Sequence, residues 1–124
     1  MTVAIVTGAS SGMGREFVRQ LPEYVQVEEI WAIARRAEAL ETLKAEVSVP
    51  VRPIVLDLLK EESFRTVRQL LETEKPDVKL LVNAAGFGKF GAYHKVTPED
   101  DCRMIDLNCK ALLVMTRLCL PYMQ

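Results

Sequence analysis

The strand and turn that open the chain constrain its fold more than any other stretch. Residues 3–6 are all apolar and lead into a turn with Gly8, Gly12 and Gly14, after which residues 15–21 follow a helical pattern. This order predicts a buried strand, a tight turn and a helix N-terminus, the arrangement that binds the pyrophosphate of a dinucleotide. Glycine allows the sharp turn and the close approach of a phosphate or of the helix. The alternative is a flexible glycine turn that binds nothing.

The rest of the chain alternates short apolar runs with helical patterns, which predicts a parallel sheet with helices on both faces. The predicted strands are residues 3–6, 28–34, 52–56 and 79–83. The predicted helices are residues 12–21, 36–47, a third around Phe64, Val67, Leu70 and Leu71 that closes before Lys75-Pro76, and 97–120. We therefore expect an α/β fold in one unit over residues 1–124, the first half of a doubly wound parallel sheet (Rossmann fold) with strand order 3-2-1-4.

Composition excludes several classes of partner. The chain has 124 residues, 49% of them apolar, and a formal charge of −1, which argues against a nucleic-acid-binding surface. No signal peptide and no run long enough to span a membrane is visible, so we expect a cytoplasmic protein without a membrane partner.

Cysteine and histidine usage argues against a metal site. The three cysteines (Cys102, Cys109 and Cys119) all fall on the last predicted helix, and His94 is the single histidine. No Cys-x-x-Cys pair occurs, so we expect small buried thiols rather than disulfides or metal ligands.

Two arginines follow the second strand, where the identity of a dinucleotide is commonly read. An acidic residue there would bind the ribose hydroxyls of NAD, but the chain has Ala34 followed by Arg35 and Arg36. Guanidinium groups suit a 2′-phosphate, so the pair favours NADP over NAD. The alternative is two solvated charges, although a helix N-terminus is a poor place for cations without an anion.

Three further marks lie at strand ends or in the last helix. Asp57-Leu58 ends the third strand, and the segment from Asn83 to Gly86 (Asn-Ala-Ala-Gly) ends the fourth. Asn108 lies within the last predicted helix, where asparagine has poor propensity. From residue type alone, Asp57 could equally form a turn and Asn108 could be a tolerated polar residue.

Taken together and in this order, these motifs resemble the short-chain dehydrogenase/reductase family over the whole chain. The resemblance implies that Asp57 lies near the amino group of adenine and that Asn83-Ala84-Ala85-Gly86 matches the family's Asn-Asn-Ala-Gly segment, with Ala84 replacing the second Asn. It also implies that Asn108 is the helix Asn of the catalytic tetrad, which relays protons through water to a lysine. The implied cofactor-binding residues are Gly8, Ser10, Ser11, Gly12, Met13, Gly14, Arg35, Arg36, Asp57, Leu58, Asn83, Ala84, Ala85 and Gly86.

The family's reaction is hydride transfer between a nicotinamide and a carbonyl or alcohol carbon, and it uses a Ser and a Tyr-x-x-x-Lys pair. No tyrosine in this chain has a lysine four positions later: Tyr24 leads to Glu28, and Tyr93 leads to Thr97. We therefore expect the cofactor-binding half of an NADP-dependent enzyme, inactive alone, acting on a small carbonyl or alcohol. Phe87, Phe90 and Tyr93 could touch an apolar substrate.

A half domain of this kind would leave apolar surface uncovered. The fourth strand would be an open edge, and the last helix is apolar nearly all round. We expect a homo-oligomer formed through that helix or that edge. Two alternatives remain: a module that binds NADP without catalysis, and a dimerisation element that binds no nucleotide.

Overall fold

The computed structural model describes residues 1–86 and 92–124, with the side chain of Tyr93 left out. Its strands form one parallel sheet in the order β3-β2-β1-β4, which confirms the predicted topology. The strands are β1 (Thr2–Thr7), β2 (Glu29–Ala34), β3 (Val51–Val55) and β4 (Asp77–Asn83). Each bound is within two residues of the prediction.

Helices connect the strands as expected for right-handed crossovers. They are α1 (Gly12–Gln20), α2 (Ala37–Glu46), α3 (Glu61–Glu74), α4 (Pro98–Ile105) and α5 (Ala111–Cys119), with 3₁₀ turns at Leu21–Glu23, Tyr93–Lys95 and Leu120–Tyr122. The sequence predicts that α1 ends just before Pro22. The helix ends at Gln20, and the chain continues through Pro22 as a 3₁₀ turn. Proline near the start of a 3₁₀ turn costs nothing there, since its missing N–H would have no helical partner.

The central strands β1 and β2 are buried on both faces, which is why they are almost continuously apolar. Alternate residues of β1 enter different cores: Val3 and Ile5 pack on the side of α3 and α5, and Ala4 and Val6 on the side of α1 and α2. All four are fully buried. The strand ends are therefore held firmly from both sides, which fixes the turns that follow them.

The edge strand β3 is fastened by a cationic side chain. The guanidinium carbon of Arg52 lies 5.1 Å from the ring centroid of Trp31 and pairs with the carboxylates of Glu29 and Glu74. Pro53 lies in the middle of β3. A proline lacks an N–H and fits an edge strand, where it also discourages pairing with another chain.

The last predicted helix is not a single regular helix. It begins at a capping box, in which Asp100 N donates to Thr97 Oγ1 and Thr97 N donates to Asp100 Oδ2. Between α4 and α5 the residues 106–110 form one π turn. A π turn inserts an extra residue into the helix and is often found at functional sites. Asn108 lies within it.

The last helix buries one face and exposes another. Ala111 and Met115 are buried against the sheet, whereas Ile105, Leu113 and Leu120 are each more than half exposed.

In the part of the chain that the structure describes, no helix is both long and apolar enough to cross a membrane. Within the same residues, no cluster of three or more His, Cys, Asp or Glu side chains could hold a metal ion.

The expectation of three buried thiols was wrong for two of them, since only Cys119 is buried and Cys102 and Cys109 are exposed. Position along the helix does not separate them, because burial depends on which face packs against the sheet. Burial raises the pKa of the Cys119 thiol to about 11 from an ordinary value of 9.0.

This pKa predicts an alkaline loss of stability. Between pH 9 and 11 the unfolded state releases the Cys119 proton while the folded state keeps it, so the free energy of unfolding should fall as the pH rises. The full effect is about 2 kcal/mol. Urea unfolding at pH 8 and pH 11 would measure it, with Cys119→Ala as the reference that lacks the thiol. Equal alkaline losses in both proteins would contradict the prediction.

Candidate cofactor-binding site

A cavity of about 450 Å³ lies at the carboxyl ends of the four strands. Each strand contributes the residues at its end, and the last helix adds two side chains. In an open parallel sheet, ligands bind at this edge, where the strand order reverses. The lining residues are Gly8, Ser10, Ser11, Gly12, Met13, Ile33, Ala34, Arg35, Leu56, Asp57, Leu58, Leu59, Ala84, Ala85, Gly86, Arg103 and Leu107.

The glycine turn is closed against neighbouring backbone. Gly8 has φ +63°, and a Cβ built on it would lie 2.6 Å from the carbonyl oxygen of Ala84. A Cβ on Gly14 would lie 2.1 Å from the carbonyl oxygen of Gly8. Gly14 is buried and does not line the cavity, so its role is to let α1 approach β1.

Gly12 differs from the other two glycines because it faces open space. Its φ is +59°, and a Cβ on it would have no heavy atom within 4 Å. The N-cap of α1, Ser11, makes no side-chain capping bond. The first N–H groups of α1 are therefore not capped by that side chain, and a helix N-terminus of this kind attracts an anion.

A buried threonine joins the glycine turn to the end of β4. Thr7 is 1% exposed, and its Oγ1 accepts hydrogen bonds of 3.1 Å from the backbone N–H groups of Ala84 and Ala85. This contact holds the two sides of the cavity at a fixed separation.

Replacing Thr7 by valine should cost about 2 to 4 kcal/mol of stability, because two backbone donors lose their acceptor at once. Thr7→Ser keeps the hydroxyl and should cost less than half as much. Urea unfolding of both variants measures the difference. Similar losses in the two variants would mean that the methyl group, not the hydroxyl, stabilises the turn.

The two arginines occupy different positions. Arg35 lines the main cavity, whereas Arg36 is the N-cap of α2 and lines a neighbouring hollow of about 250 Å³ with Ala37, Glu38 and Ala39. Both side chains are exposed, and neither forms an ion pair with any residue in the described ranges. The sequence predicts a single site for the pair, and the structure puts the two side chains on adjoining surfaces.

Asp57 forms a turn contact and also lines the cavity. Its Oδ1 accepts from Leu59 N at 3.0 Å, which is a turn contact, and the residue also lines the cavity. A carboxylate has two oxygens, so one such bond leaves acceptor capacity. Leu58 is 5% exposed because its side chain packs in the core. A ligand in the cavity would therefore contact mainly the backbone of Leu58.

The two asparagines lie beside the cavity rather than in its lining. Asn83 Nδ2 donates to Thr116 Oγ1 at 3.1 Å, which ties β4 to α5. Asn108 Oδ1 lies 2.6 Å from where a Cβ on Gly86 would stand. The absence of a Cβ at Gly86 thus lets the π turn come close to the end of β4.

Six lining residues are not among those predicted from the sequence: Ile33, Ala34, Leu56, Leu59, Arg103 and Leu107. The first four adjoin predicted strand ends, so extending each motif by one or two residues would include them. Arg103 and Leu107 are four apart on one helix face, but only the packing of α4 shows which face points at the cavity. Phe87 and Phe90, suggested as substrate contacts, lie outside the described residues, as does the side chain of Tyr93.

A comparison with known protein families agrees with the strand order and with the position of the cavity. A family model described as short chain dehydrogenase matches residues 2–124. The chain belongs to the short-chain dehydrogenase family. Individual members of the family are similar to it over nearly its whole length.

Among curated relatives, NADP-dependent 3-hydroxy acid dehydrogenase YdfG of Salmonella typhi is 34% identical over 122 residues, which are 98% of this chain and 48% of that enzyme. A probable NADP-dependent dehydrogenase of Haemophilus influenzae is 32% identical, again over 98% of this chain and 48% of its own length. The chain thus spans about half the length of these short-chain dehydrogenases.

Solved structures of the family give the same result. A metagenomic short-chain oxidoreductase in complex with NADP superposes with a TM-score of 0.85 at 28% identity, covering 98% of this chain and 56% of that one. A short-chain dehydrogenase from Sphingobium yanoikuyae in complex with NADPH gives 0.83 at 26% identity, covering 98% and 48%. These short-chain dehydrogenases therefore share the fold described above.

Proposed function

We propose that this chain forms the NADP-binding half of an oxidoreductase that transfers hydride between NADP(H) and a carbonyl or alcohol group of a small molecule. The observation that carries the proposal is the cavity at the strand ends, which brings Arg35 together with the uncapped start of α1. The curated relatives named above as NADP-dependent support the same choice of cofactor.

The residues at this edge suit NADP group by group. The start of α1 and the space beside Gly12 suit the pyrophosphate, since a Cβ there would occupy open volume rather than backbone. Arg35 and Arg36 suit the 2′-phosphate, because both are exposed cations with no described ion pair to break. Asp57 and the backbone of Leu58 suit the adenine. When bound, the nicotinamide supplies or accepts the hydride.

Asn108 is proposed as the chain's catalytic residue. Its amide lies against Gly86 within the π turn, at the end of β4 and close to the cavity. An amide has both donors and an acceptor, so it can hold a water molecule in a proton relay. In these 124 residues there is no Tyr-x-x-x-Lys to complete such a relay.

Calorimetric titration of this chain with NADPH, and in parallel with NADH, tests the proposal directly. We expect saturable NADPH binding that is tighter than NADH binding. If neither nucleotide binds, the proposal is contradicted, and the cavity would not serve as a cofactor site in this chain.

A second candidate is a module that binds NADP without catalysis, which the same cavity at the strand ends would serve. It predicts tight NADPH binding and no turnover of any carbonyl substrate. Sequencing the reading frame beyond Gln124 discriminates the two, since the enzyme requires a serine and a Tyr-x-x-x-Lys there.

We also propose that the chain self-associates through the exposed apolar side chains of its last helix or through β4. Leu112, Leu113 and Leu120 are 46%, 60% and 51% exposed, and they would lose this water contact in a dimer. Sedimentation velocity at micromolar concentration should detect a dimer or larger species, and Leu113→Lys should shift it toward monomer. A clean monomer would refute the proposal.

The cytoplasmic location stays a prediction from the sequence.

A further inference from the structure

Arg15 makes an unusually complete set of contacts just after the glycine turn. Its Nη1 donates to the carbonyl oxygen of Ala39 at 2.8 Å, and its Nη2 donates to Thr42 Oγ1 at 3.0 Å and pairs with Glu46 Oε2 at 2.9 Å. All three partners belong to α2, and they extend from its first turn to its last residue. One guanidinium group therefore fastens α2 to α1 along most of its length.

The contact to Ala39 is the one that matters for the cavity edge. Ala39 lies in the first turn of α2 and lines the same hollow as Arg36. The N-cap of α2 has no side-chain capping bond, so the cap does not hold this end. The buried side chains of α2 are Leu40 and Leu43, which anchor its middle. Arg15 is thus a polar contact that holds the first turn of α2, which directly follows Arg36, against α1.

Arg15 does not itself line either cavity. Its side chain is about one-quarter exposed, and its donors are directed at α2. Any effect that it has on a bound 2′-phosphate must therefore pass through the position of α2.

We propose that Arg15 is a positioning residue for cofactor selectivity: it docks the start of α2 and so sets the location of Arg35 and Arg36 relative to the glycine turn. This inference rests on the proposed NADP site. It assigns the preference for NADP to three arginines, two that contact the 2′-phosphate and one that orients them.

The test compares binding of adenosine 2′,5′-bisphosphate and 5′-AMP to the chain by calorimetry. Both probes carry a 5′-phosphate, so a general loss of positive charge weakens both, and their ratio isolates the 2′-phosphate. Arg15→Met should reduce the preference for the bisphosphate about threefold to tenfold, a part of what a charge-assisted contact is worth. Arg15→Lys should also lose most of the preference that Arg15 provides, because an ammonium group cannot contact all three partners at once.

Arg19→Met is the matched control. It removes an arginine one turn later in α1, whose ion pair among the described residues is with Glu16 of the same helix, at 3.0 Å. The ratio should not change in this variant. In Arg15→Met, hydrogen exchange should also become faster at the first N–H groups of α2, while β1 stays protected.

The outcomes separate the inference from the function on which it rests. If wild type shows no preference for the bisphosphate, the proposed NADP site fails and the inference fails with it. If wild type prefers the bisphosphate and Arg15→Met and Arg15→Lys keep that preference, the inference alone is overturned. If Arg15→Lys behaves like wild type while Arg15→Met does not, charge rather than docking is responsible, which also overturns it.

Discussion

Replacing Arg35 and Arg36 together by alanine should weaken NADPH binding by about tenfold to a hundredfold and change NADH binding by less than about threefold. The two guanidinium groups are exposed beside the cavity and have no ion pair among the described residues, so their removal leaves no unpaired carboxylate behind. The effect should therefore fall on the 2′-phosphate, which NADH lacks. Calorimetric titration of the variant with both nucleotides measures it.

A variant with the same loss of charge elsewhere controls for long-range attraction. Arg19 and Arg68 are both exposed, on α1 and α3, and Arg19→Ala/Arg68→Ala removes two positive charges away from the cavity. It should weaken both nucleotides slightly and to the same extent. Equal losses for NADPH and NADH in the Arg35/Arg36 variant would mean that the pair does not read the 2′-phosphate.

The second large effect is expected at the glycine turn, where Gly8 and Gly12 have nearly the same φ angle but different surroundings. Gly8→Ala should destabilise the chain by about 3 kcal/mol or more, from a left-handed alanine and a clash that forces the backbone apart. The clash is with Ala84 and Ala85, whose backbone atoms lie 2.6 to 2.7 Å from the new Cβ. Neither is the end of a flexible side chain, so the strand end itself must move.

Gly12→Ala is the matched comparison, because its φ of +59° is close to the +63° of Gly8 and its Cβ meets nothing within 4 Å. It should cost only about 1 kcal/mol, the strain of a left-handed alanine. It should nevertheless weaken nucleotide binding, since the new methyl group would occupy the space proposed for the pyrophosphate. Urea unfolding and calorimetry on both variants separate the two roles. Equal destabilisation would show that φ alone, and not the close packing on β4, constrains Gly8.

The sequence predicted the fold well because each of its signals is local. Hydrophobic runs, glycines and helix caps are set by neighbouring residues, and the strand order is the one expected of the doubly wound fold that the alternating pattern indicates. The predicted start of the last helix at residue 97 is confirmed for the same reason, since its capping box lies within residues 97–100. The division of the last helix was not predicted, because a π turn depends on how the helix packs rather than on its propensities.

The candidate site was predicted in part. Residues that directly follow a strand line the cavity, since the carboxyl ends of parallel strands meet at one edge. Asn83 does not line it: its amide donates to Thr116, a partner 33 residues later. Arg103 was not predicted because helical spacing does not say which face of α4 turns toward the cavity.

The sequence by itself determined the order of strands and helices, the glycine turn and the positive charge after β2, because these depend on residue type and short spacings. Three features could be seen only in the tertiary structure. Thr7 joins the glycine turn to the end of β4, and Arg15 donates its hydrogen bonds to α2. Of the three thiols, only that of Cys119 is buried. Each of these depends on which residues from distant parts of the chain come within hydrogen-bonding or packing distance. That is a property of the assembled layers, and no local pattern contains it.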